Sequence, residues 1–499
     1  METPTLNNEH TPHEHSSVQE SEDVHVPRYS YYALAILSLV NFLNYIDRQV
    51  LPAVAPMMFE DPQLRLTDAE LGYIEAALLL SFTVLAPLFG RLGDRRSRTR
   101  LMASAAVIWS VATAVTGFVD RLPFLPGAIQ VQVPFIQLTL GLSGAALALC
   151  LVRAVVGVGE SSYSTITPSL IADYFPPRRR ATALGVFQAA IPMGFALGFV
   201  IGGVLANYFG WRMAFMIVGL PGILTTILVW RLREPVRGAT DVPVHKTALD
   251  EISESPAQTS RALAHEDIRE PWLRTAWRIL VTRDWIISTA GYTALTFTLG
   301  AFATWGTVLL SRDKGMDKTN AAITLGIVTL LGGAAGTFGG GWLADRLAAR
   351  RRNAYFLVCA VSTLIGIAPT LLALVSDDPR VYLPSIFFAV LLLFISNAPF
   401  HAILINSVPV LVRATAVALN IVIIHFFGDV ISRAATGVLS DALAAGRLTF
   451  LATLANSLGI DASRQHLSAA LLIAPAALIV STLFFFWGAK KQETGDSRQ

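Results

Sequence analysis

The sequence predicts an all-α integral membrane protein with twelve transmembrane helices arranged as two pseudo-symmetric six-helix bundles. Three observations predict this. First, the 499 residues are 53% hydrophobic and only 15% charged, with a mean hydropathy of +0.54, whereas soluble chains carry about a quarter charged residues. Second, the apolar residues gather into runs of roughly 20, the length that carries a helix across a bilayer. These runs lack the period-two alternation of barrel strands, and only helices and closed barrels satisfy their backbone groups in lipid. Third, the two halves of the chain echo one another.

Taken in order, residues 1–28 are polar and rich in His, Glu and Ser. They lack the basic start and apolar core of an export signal and read as a disordered cytoplasmic tail. His10, His13, His15 and His25 have no Cys and no fixed spacing that would build a metal site, so no metal or cofactor is expected. The first bundle, residues 29–231, holds spans at Tyr31–Met58, Leu71–Arg91, Leu101–Val119, Ser143–Tyr174, Ala181–Tyr208 and Trp211–Trp230. The second, residues 285–488, holds Trp285–Leu310, Ala321–Ala344, Ala354–Val375, Tyr382–Val412, Ala414–Leu443 and Leu467–Trp487. Residues 232–284 form a polar linker ending in Trp272-Leu273-Arg274-Thr275-Ala276-Trp277-Arg278-Ile279-Leu280, the pattern of a short interfacial amphipathic helix. Residues 489–499 form a second cytoplasmic tail. Between the third and fourth spans, Ala128 to Val133 alternate with period two and predict a small external hairpin or a lid. Cys150 and Cys359 lie in apolar segments and read as free thiols.

The net charge of +3 reports topology rather than nucleic-acid binding. Arg91, Arg95, Arg96, Arg98 and Arg100 follow the second span, Arg178 to Arg180 the fourth, and Arg346, Arg350, Arg351 and Arg352 the eighth. The opposite loops carry Glu60, Asp61 and Asp68, and Asp377 and Asp378. The positive-inside rule then places both termini in the cytoplasm, in a multi-pass inner- or plasma-membrane protein.

The repeat is specific. Gly90-Arg91-Leu92-Gly93-Asp94-Arg95 recurs as Gly341-Trp342-Leu343-Ala344-Asp345-Arg346 after the second span of each half. Arg180-Ala181-Thr182-Ala183 recurs as Arg413-Ala414-Thr415-Ala416, and Gly203-Val204-Leu205 as Gly437-Val438-Leu439. Repeats of this kind build secondary transporters, with the binding site between the halves near the midplane. The Gly90-x-Leu92-Gly93-Asp94-Arg95-x-x-Arg98 stretch resembles the loop signature of the major facilitator superfamily. That resemblance implies a cytoplasmic conformational latch at Gly90, Asp94, Arg95 and Arg98, with Asp345 and Arg346 in the degenerate second copy. Asn41 to Arg48 in the first span and Arg153 to Ser164 in the fourth are together similar to the Spinster subfamily, whose members move lysolipids or sphingoid lipids in animals. The insert at 121–142 departs from that pattern.

Charge inside the membrane locates the candidate site. A charged side chain at the bilayer centre costs roughly 2.5–3.5 kcal/mol on insertion scales and marks function. Asp47 and Glu160 each lie sixteen residues from the inner end of their span, about 24 Å deep at 1.5 Å per residue. Arg153, seven residues before Glu160, shares its helix face. Arg48 points roughly 100° away from Asp47 on a regular helix and so meets another partner or the cavity rim. A guanidinium clamps phosphate or carboxylate through paired donors. Burial disfavours a charged carboxylate while a guanidinium favours it, a tension suited to proton exchange. Substrate contact is therefore assigned to Arg153, Arg48, Tyr163, Asn397 and His401, and proton coupling to Asp47 and Glu160. His425, Asp429 and Arg433, four residues apart, form either a second proton-linked patch or an interhelical network, and Glu75 is a rim residue.

Pro168, Pro192, Pro399 and Pro409 are expected to bend spans, and Gly194, Gly198 and Gly202 to admit close helix packing. The apolar wall of the cavity in the second half is assigned to Phe394, Ile403, Leu404, Ile424 and Phe427. The expected activity is proton-coupled transport of an amphipathic anionic solute, a lysolipid or sphingoid-type lipid, by a monomer. A symporter of small organic carboxylates is the alternative, and a membrane-embedded lipid-modifying enzyme a distant third. No nucleic-acid partner is expected, and no Walker A or nucleophile–base pattern points to catalysis.

Overall fold

The computed structural model describes residues 26–121, 129–133, 138–237, 272–409 and 412–493. The four-histidine tail, most of the linker and the last six residues lie outside them. The first half contains α1 (Arg28–Phe59), α2 (Asp68–Arg95), α3 (Arg98–Thr116), α4 (Gly144–Tyr174), α5 (Pro177–Phe209) and α6 (Trp211–Trp230). The second half follows α7 (Trp272–Val281). It comprises α8 (Arg283–Val308), α9 (Lys318–Ala348), α10 (Ala354–Val375), α11 (Pro379–Ile395), α12 (Asn397–Asn406), α13 (Arg413–Ile423), α14 (Ile431–Ala444), α15 (Thr449–Ser457), α16 (His466–Ala470) and α17 (Ile473–Glu493). Eleven segments are long and apolar enough to cross a membrane among the described residues. The twelfth span is α1, a 32-residue helix whose hydropathy is lowered by Asn41, Asn44, Asp47, Arg48 and Gln49. Each half thus contributes six spans.

Helix starts follow local chemistry. Thr67 and Glu70 form a capping box at α2, while Ser143, Asp317 and Asp378 cap α4, α9 and α11. Gly210, with φ +80°, makes the one-residue turn between α5 and α6. The predicted hairpin is present: β1 (Ile129–Val133) pairs antiparallel with β2 (Leu138–Leu142), Ile129 opposite Leu142. The linker's end forms helix α7 as predicted, with Ile279 buried and Trp277 exposed.

Four spans depart from regularity, the twelfth at the turn Leu471-Leu472 between α16 and α17. The tenth, expected as one helix to Val412, breaks at Ser396 into α11 and α12 and ends at Asn406. Pro399 has no N–H to continue the ladder, and the Ser396 hydroxyl meets Ser362 on α10 at 2.8 Å. Pro409 consequently lies beyond the helix instead of kinking it, whereas Pro168 and Pro192 sit inside α4 and α5. The seventh span ends in a π-helical turn, Leu309–Asp313. The eleventh contains a π-helical segment, Ile424–Val430, between α13 and α14; such segments often occur at functional sites.

Glycine sets how closely the spans approach. A Cβ at Gly194 would meet Phe42 O at 2.5 Å, and one at Gly198 would meet Ile46 O at 2.7 Å. The predicted stripe on α5 therefore seats α1 against it. In the second half a Cβ at Gly340 would lie 2.1 Å from Ile395 O, so α9 meets the end of α11 backbone to backbone. Replacing Gly340 with Ala forces these helices apart and is expected to cost about 1–3 kcal/mol by overpacking. The expected outcome is a thermal unfolding midpoint several degrees lower in detergent, and an unchanged midpoint would contradict this packing.

Candidate functional site

Between the halves lies a cavity enclosing about 1290 Å³ of space free of protein atoms, part of it open to solvent. One wall is charged. Arg48 comes from α1, Glu75 from α2, Arg153 from α4, and His425, Asp429 and Arg433 from the eleventh span. The facing wall is apolar, with Phe195 and Phe199 from α5, Phe302 from α8, Leu325 from α9, and Ile386 and Phe394 from α11. Of the apolar lining residues assigned from sequence, only Phe394 faces the cavity. Ile403, Leu404 and Ile424 are buried in the core of the second half, and Phe427 is exposed. On membrane helices lipid-facing, core and cavity positions are alike in hydropathy.

The charged residues sort into three groups. Arg48 Nε donates to Glu160 Oε2 at 2.5 Å, and its guanidinium lies over the rings of Phe82 (4.6 Å) and Tyr45 (5.1 Å). Asp47 points away from Arg48, as the helical offset predicts, and accepts a hydrogen bond from Thr113 on α3. Asp47 and Glu160 are 2% and 0% exposed and stand behind the cavity wall, not in it. The structure thus corrects the expectation that both carboxylates open directly onto the chamber. It is Arg48 that reaches the cavity, with Glu160 behind it.

The second group spans the halves. Glu75 Oε2 accepts from Arg433 Nη1 at 2.6 Å, while Glu75 Oε1 lies 3.5 Å from Arg153 Nη2. Arg433 Nη1 also donates to Thr304 on α8 at 2.8 Å, and the Arg433 carbonyl accepts from Trp305 Nε1 at 3.1 Å. Arg153 is 1% and Glu75 3% exposed. Arg153 Nε and Nη1 and Arg433 Nε are buried without a protein partner. In the third group, on the π-helical segment, His425 Nδ1 meets Asp429 Oδ2 at 2.6 Å. His425, Asp429 and Arg433 do not form one patch: the first two pair with each other, and Arg433 turns to Glu75. The lining holds three arginines against two carboxylates.

Other predicted site residues lie elsewhere. Tyr163 is fully buried, donates to the Leu37 carbonyl and packs edge-on against Trp109, so it fixes α4 on α1 away from the cavity. Asn397 accepts from Tyr292 at 3.1 Å, and His401 Nδ1 lies 2.8 Å from the Asn397 carbonyl. Neither is among the residues lining the cavity. Tyr292 stacks on Phe400 at 3.7 Å.

At the face carrying Arg28 and Glu493, Arg98 is the centre of the loop motif. Its Nη1 donates to Asp173 at 2.6 Å, its backbone N–H donates to Glu234 at 2.9 Å, and Ser97 donates to the same carboxylate. Arg237 Nη2 donates to the Gly93 carbonyl at 2.6 Å. A Cβ at Gly93 would meet Ile166 at 3.0 Å, while one at Gly90 would touch only Thr165, at 3.5 Å. Arg95 is exposed, and the Asp94 side chain lies outside the described set. In the second copy Asp345 accepts from Tyr355, and Arg346 stacks over Trp342 at 5.4 Å. Sequence reading missed Asp173 and Glu234. The available signal was acid placed at the ends of α4 and α6 beside otherwise basic loops.

Burial pushes the Glu234 carboxyl up, but the Ser97 and Arg98 hydrogen bonds and the Arg98 charge outweigh it and hold the carboxyl below its ordinary value. A depressed carboxylate stabilises the fold above its unfolded value of about 4.3, and that contribution is lost as pH falls through the folded value. Glu234→Gln is therefore expected to lower thermal stability at neutral pH and to shrink the stability lost on acidification below about pH 4.3. Melting curves across pH 3–7 check this, and parallel curves for both proteins would contradict it.

Residues 37–432 match the Major Facilitator Superfamily. The chain is 30% identical over 439 residues to the protein spinster of Drosophila melanogaster, covering 86% of this chain but just under two thirds of the fly protein, 65%. It is 31% identical over 432 residues to the human protein spinster homolog 1, covering 82% of this chain and 73% of that one. Among solved structures, a bacterial homolog to the human lysosomal transporter Spinster, in an inward-facing and occupied conformation, superposes with a TM-score of 0.73 at 21% identity, covering 93% of this chain and 98% of the other.

Proposed function

The chain belongs to the major facilitator superfamily and to its Spinster branch, and from that premise we propose that this multi-pass membrane transporter carries an amphipathic anionic lipid, a lysolipid or sphingoid-type molecule, by proton-coupled alternating access. The observation that carries the reading is the pairing of unpartnered, buried guanidinium donors on Arg153 with an apolar wall across the same cavity. A buried arginine donor needs an acceptor, and an anionic head supplies it. Phe195, Phe199, Phe302 and Leu325 offer the acyl tail a surface that a small carboxylate does not need.

The proton roles follow from the charge groups. Protonating Glu160 removes the partner of Arg48 and frees a cation at the cavity edge. Asp47, held by Thr113 between α1 and α3, is the second acid. An added proton at either acid changes the charge balance of a buried array, where unpaired charge is strongly disfavoured. That disfavour gives the array two alternative arrangements.

Cross-half contacts gather at the face opposite Arg28 and Glu493. Arg312 binds Asp68 through both nitrogens, at 2.8 and 2.7 Å, Lys318 pairs with Glu60, and Thr307 donates to the Pro52 carbonyl. With the basic loops on the cytoplasmic side, this arrangement supports an inward-facing state. The Arg98 cluster and its Asp345–Arg346 counterpart act as the latch on that side, changing partners when the face closes.

Reconstitution tests the reading. Proteoliposomes with an imposed pH gradient are expected to accumulate a radiolabelled anionic lysophospholipid, and a panel of small carboxylates is expected to remain outside. Glu160→Gln and Asp47→Asn are each expected to cut gradient-driven accumulation at least tenfold while leaving lipid binding within about threefold. Undiminished accumulation in both variants would end the carboxylate role, and carboxylate uptake without lipid uptake would favour the organic-acid symporter.

A further inference from the structure

Arg153 and Arg433, two of the three arginines that line the cavity, come from different halves and meet on one carboxylate. Arg153 on α4 approaches Oε1 of Glu75, and Arg433 on the eleventh span binds Oε2. One acid therefore serves two guanidiniums directly, while the charges of Asp47 and Glu160 act on Arg153 from behind the cavity wall without a hydrogen bond to it. The shortfall is visible atom by atom. Arg153 Nε and Nη1 and Arg433 Nε lack a protein acceptor, and the Arg153–Glu75 approach of 3.5 Å is too long for a strong hydrogen bond, which leaves Glu75 Oε1 without a donor as well. All three residues line the cavity. A buried guanidinium donor without an acceptor is unfavourable, and an anion entering the cavity supplies one.

Glu75 also belongs to a row. Asp68, Gly72 and Glu75 lie at positions i, i+4 and i+7, one face of α2. That face runs antiparallel to Arg433, Gly437, Ser440 and Asp441 of α14. Ser440 donates to Asp68 at 2.5 Å, and Asp441 accepts from the Asp68 and Ala69 N–H groups at 3.1 and 2.8 Å. A Cβ at Gly437 would lie 2.3 Å from Asp68 O, and one at Gly72 would lie 2.5 Å from Arg433 O. The two helices are thus zipped from the closed face down to the cavity, and Glu75–Arg433 is the last tooth. Any motion that opens that face must separate this row.

We propose that Arg153 and Arg433 together form one anion-binding site for the cargo's head, and that Glu75 is its built-in competitor, holding α2 to α14 until the cargo's anion takes its place. The proposal rests on the anionic-cargo reading above and adds a residue from each half to it. The head group is a phosphate diester or a carboxylate, either of which can accept from both guanidiniums at once. When the head binds, Glu75 loses its hold on Arg433, and the mid-membrane end of the zipper is released. The cargo thereby weakens the closed face from inside the cavity.

Two measurements on the full-length purified chain test this. The first is equilibrium binding of lysophosphatidylglycerol, of palmitate and of neutral monopalmitoylglycerol. Glu75→Gln is expected to tighten binding of the anionic probes at least fivefold, and Arg433→Gln to weaken it at least tenfold, with the neutral lipid unchanged in both. Which of the two anions binds distinguishes phosphate from carboxylate recognition. The second is the spin-label distance across the closed face, between Gln63→Cys and Ser463→Cys in a background lacking Cys150 and Cys359, with no lipid added. Glu75→Gln is expected to add a longer-distance population. Glu75→Asp, which keeps the charge on a shorter arm, is expected to fall between Gln and the native residue in both measurements.

A Glu75→Gln protein that binds anions as poorly as Arg433→Gln would show that Glu75 supports the site and does not compete for it, overturning the proposal. An unchanged distance distribution would overturn the coupling to the closed face. If neither anion binds the native protein, the anionic-cargo reading and the anion site fall together. If instead anions bind the native protein and Glu75→Gln leaves their affinity unchanged, the cargo reading stands and the competitor role alone is lost.

Discussion

Charge buried at membrane depth must find opposite charge within reach, and this constraint organises the whole interior. An isolated ion in low dielectric is so disfavoured that each arginine here is tied to an acid on another helix. Arg48 ties α1 to α4 through Glu160, and Arg433 ties the eleventh span to α2 through Glu75. Helix positions follow from these pairings as much as from apolar packing, since lipid and protein interior offer an apolar side chain similar surroundings.

The pairings demand close helices, and small residues provide them. Along α1–α5 the glycines at 194 and 198 bring Phe42 and Ile46 backbones into contact with α5, setting the register that turns Asp47 toward α3 and Arg48 toward the cavity. Along α2 and α14, Gly72 and Gly437 do the same across the boundary between halves. The first contact lies inside one bundle and has no reason to change during transport. The second crosses the bundles and consists of hydrogen bonds and one ion pair that can re-form with other partners. Rigid halves joined by an exchangeable seam are what a rocking transporter requires.

The chemistry of the cavity is lopsided. Its charged wall comes from α1, α2, α4 and the π-helical eleventh span, and its apolar wall from α5, α8, α9 and α11. A solute with a charged end and a greasy end can satisfy both walls at once, whereas a compact polar solute leaves one of them unmatched. The π-helical segment carries His425 and Asp429, which line the chamber together with Arg433, the residue bound to Glu75.

Much of this was legible in the chain. Span number, the duplicated halves, the hairpin and the α5 glycine stripe follow from local rules of hydropathy, repetition and residue size, which act within one segment. That Asp47, Arg48, Arg153 and Glu160 turn inward was legible too, because ions at membrane depth are costly when they face lipid. Which ion meets which was not. Sequence placed Arg153 and Glu160 on one face of one helix without naming their partners, and folding gave Glu160 to Arg48 and Arg153 to Glu75. It likewise exposed neither Tyr163 nor Ile403 to the cavity. Partner choice depends on helix rotation and on contacts between residues on different helices far apart in the chain. No local pattern encodes those angles, and only the packing of twelve spans against one another decides them.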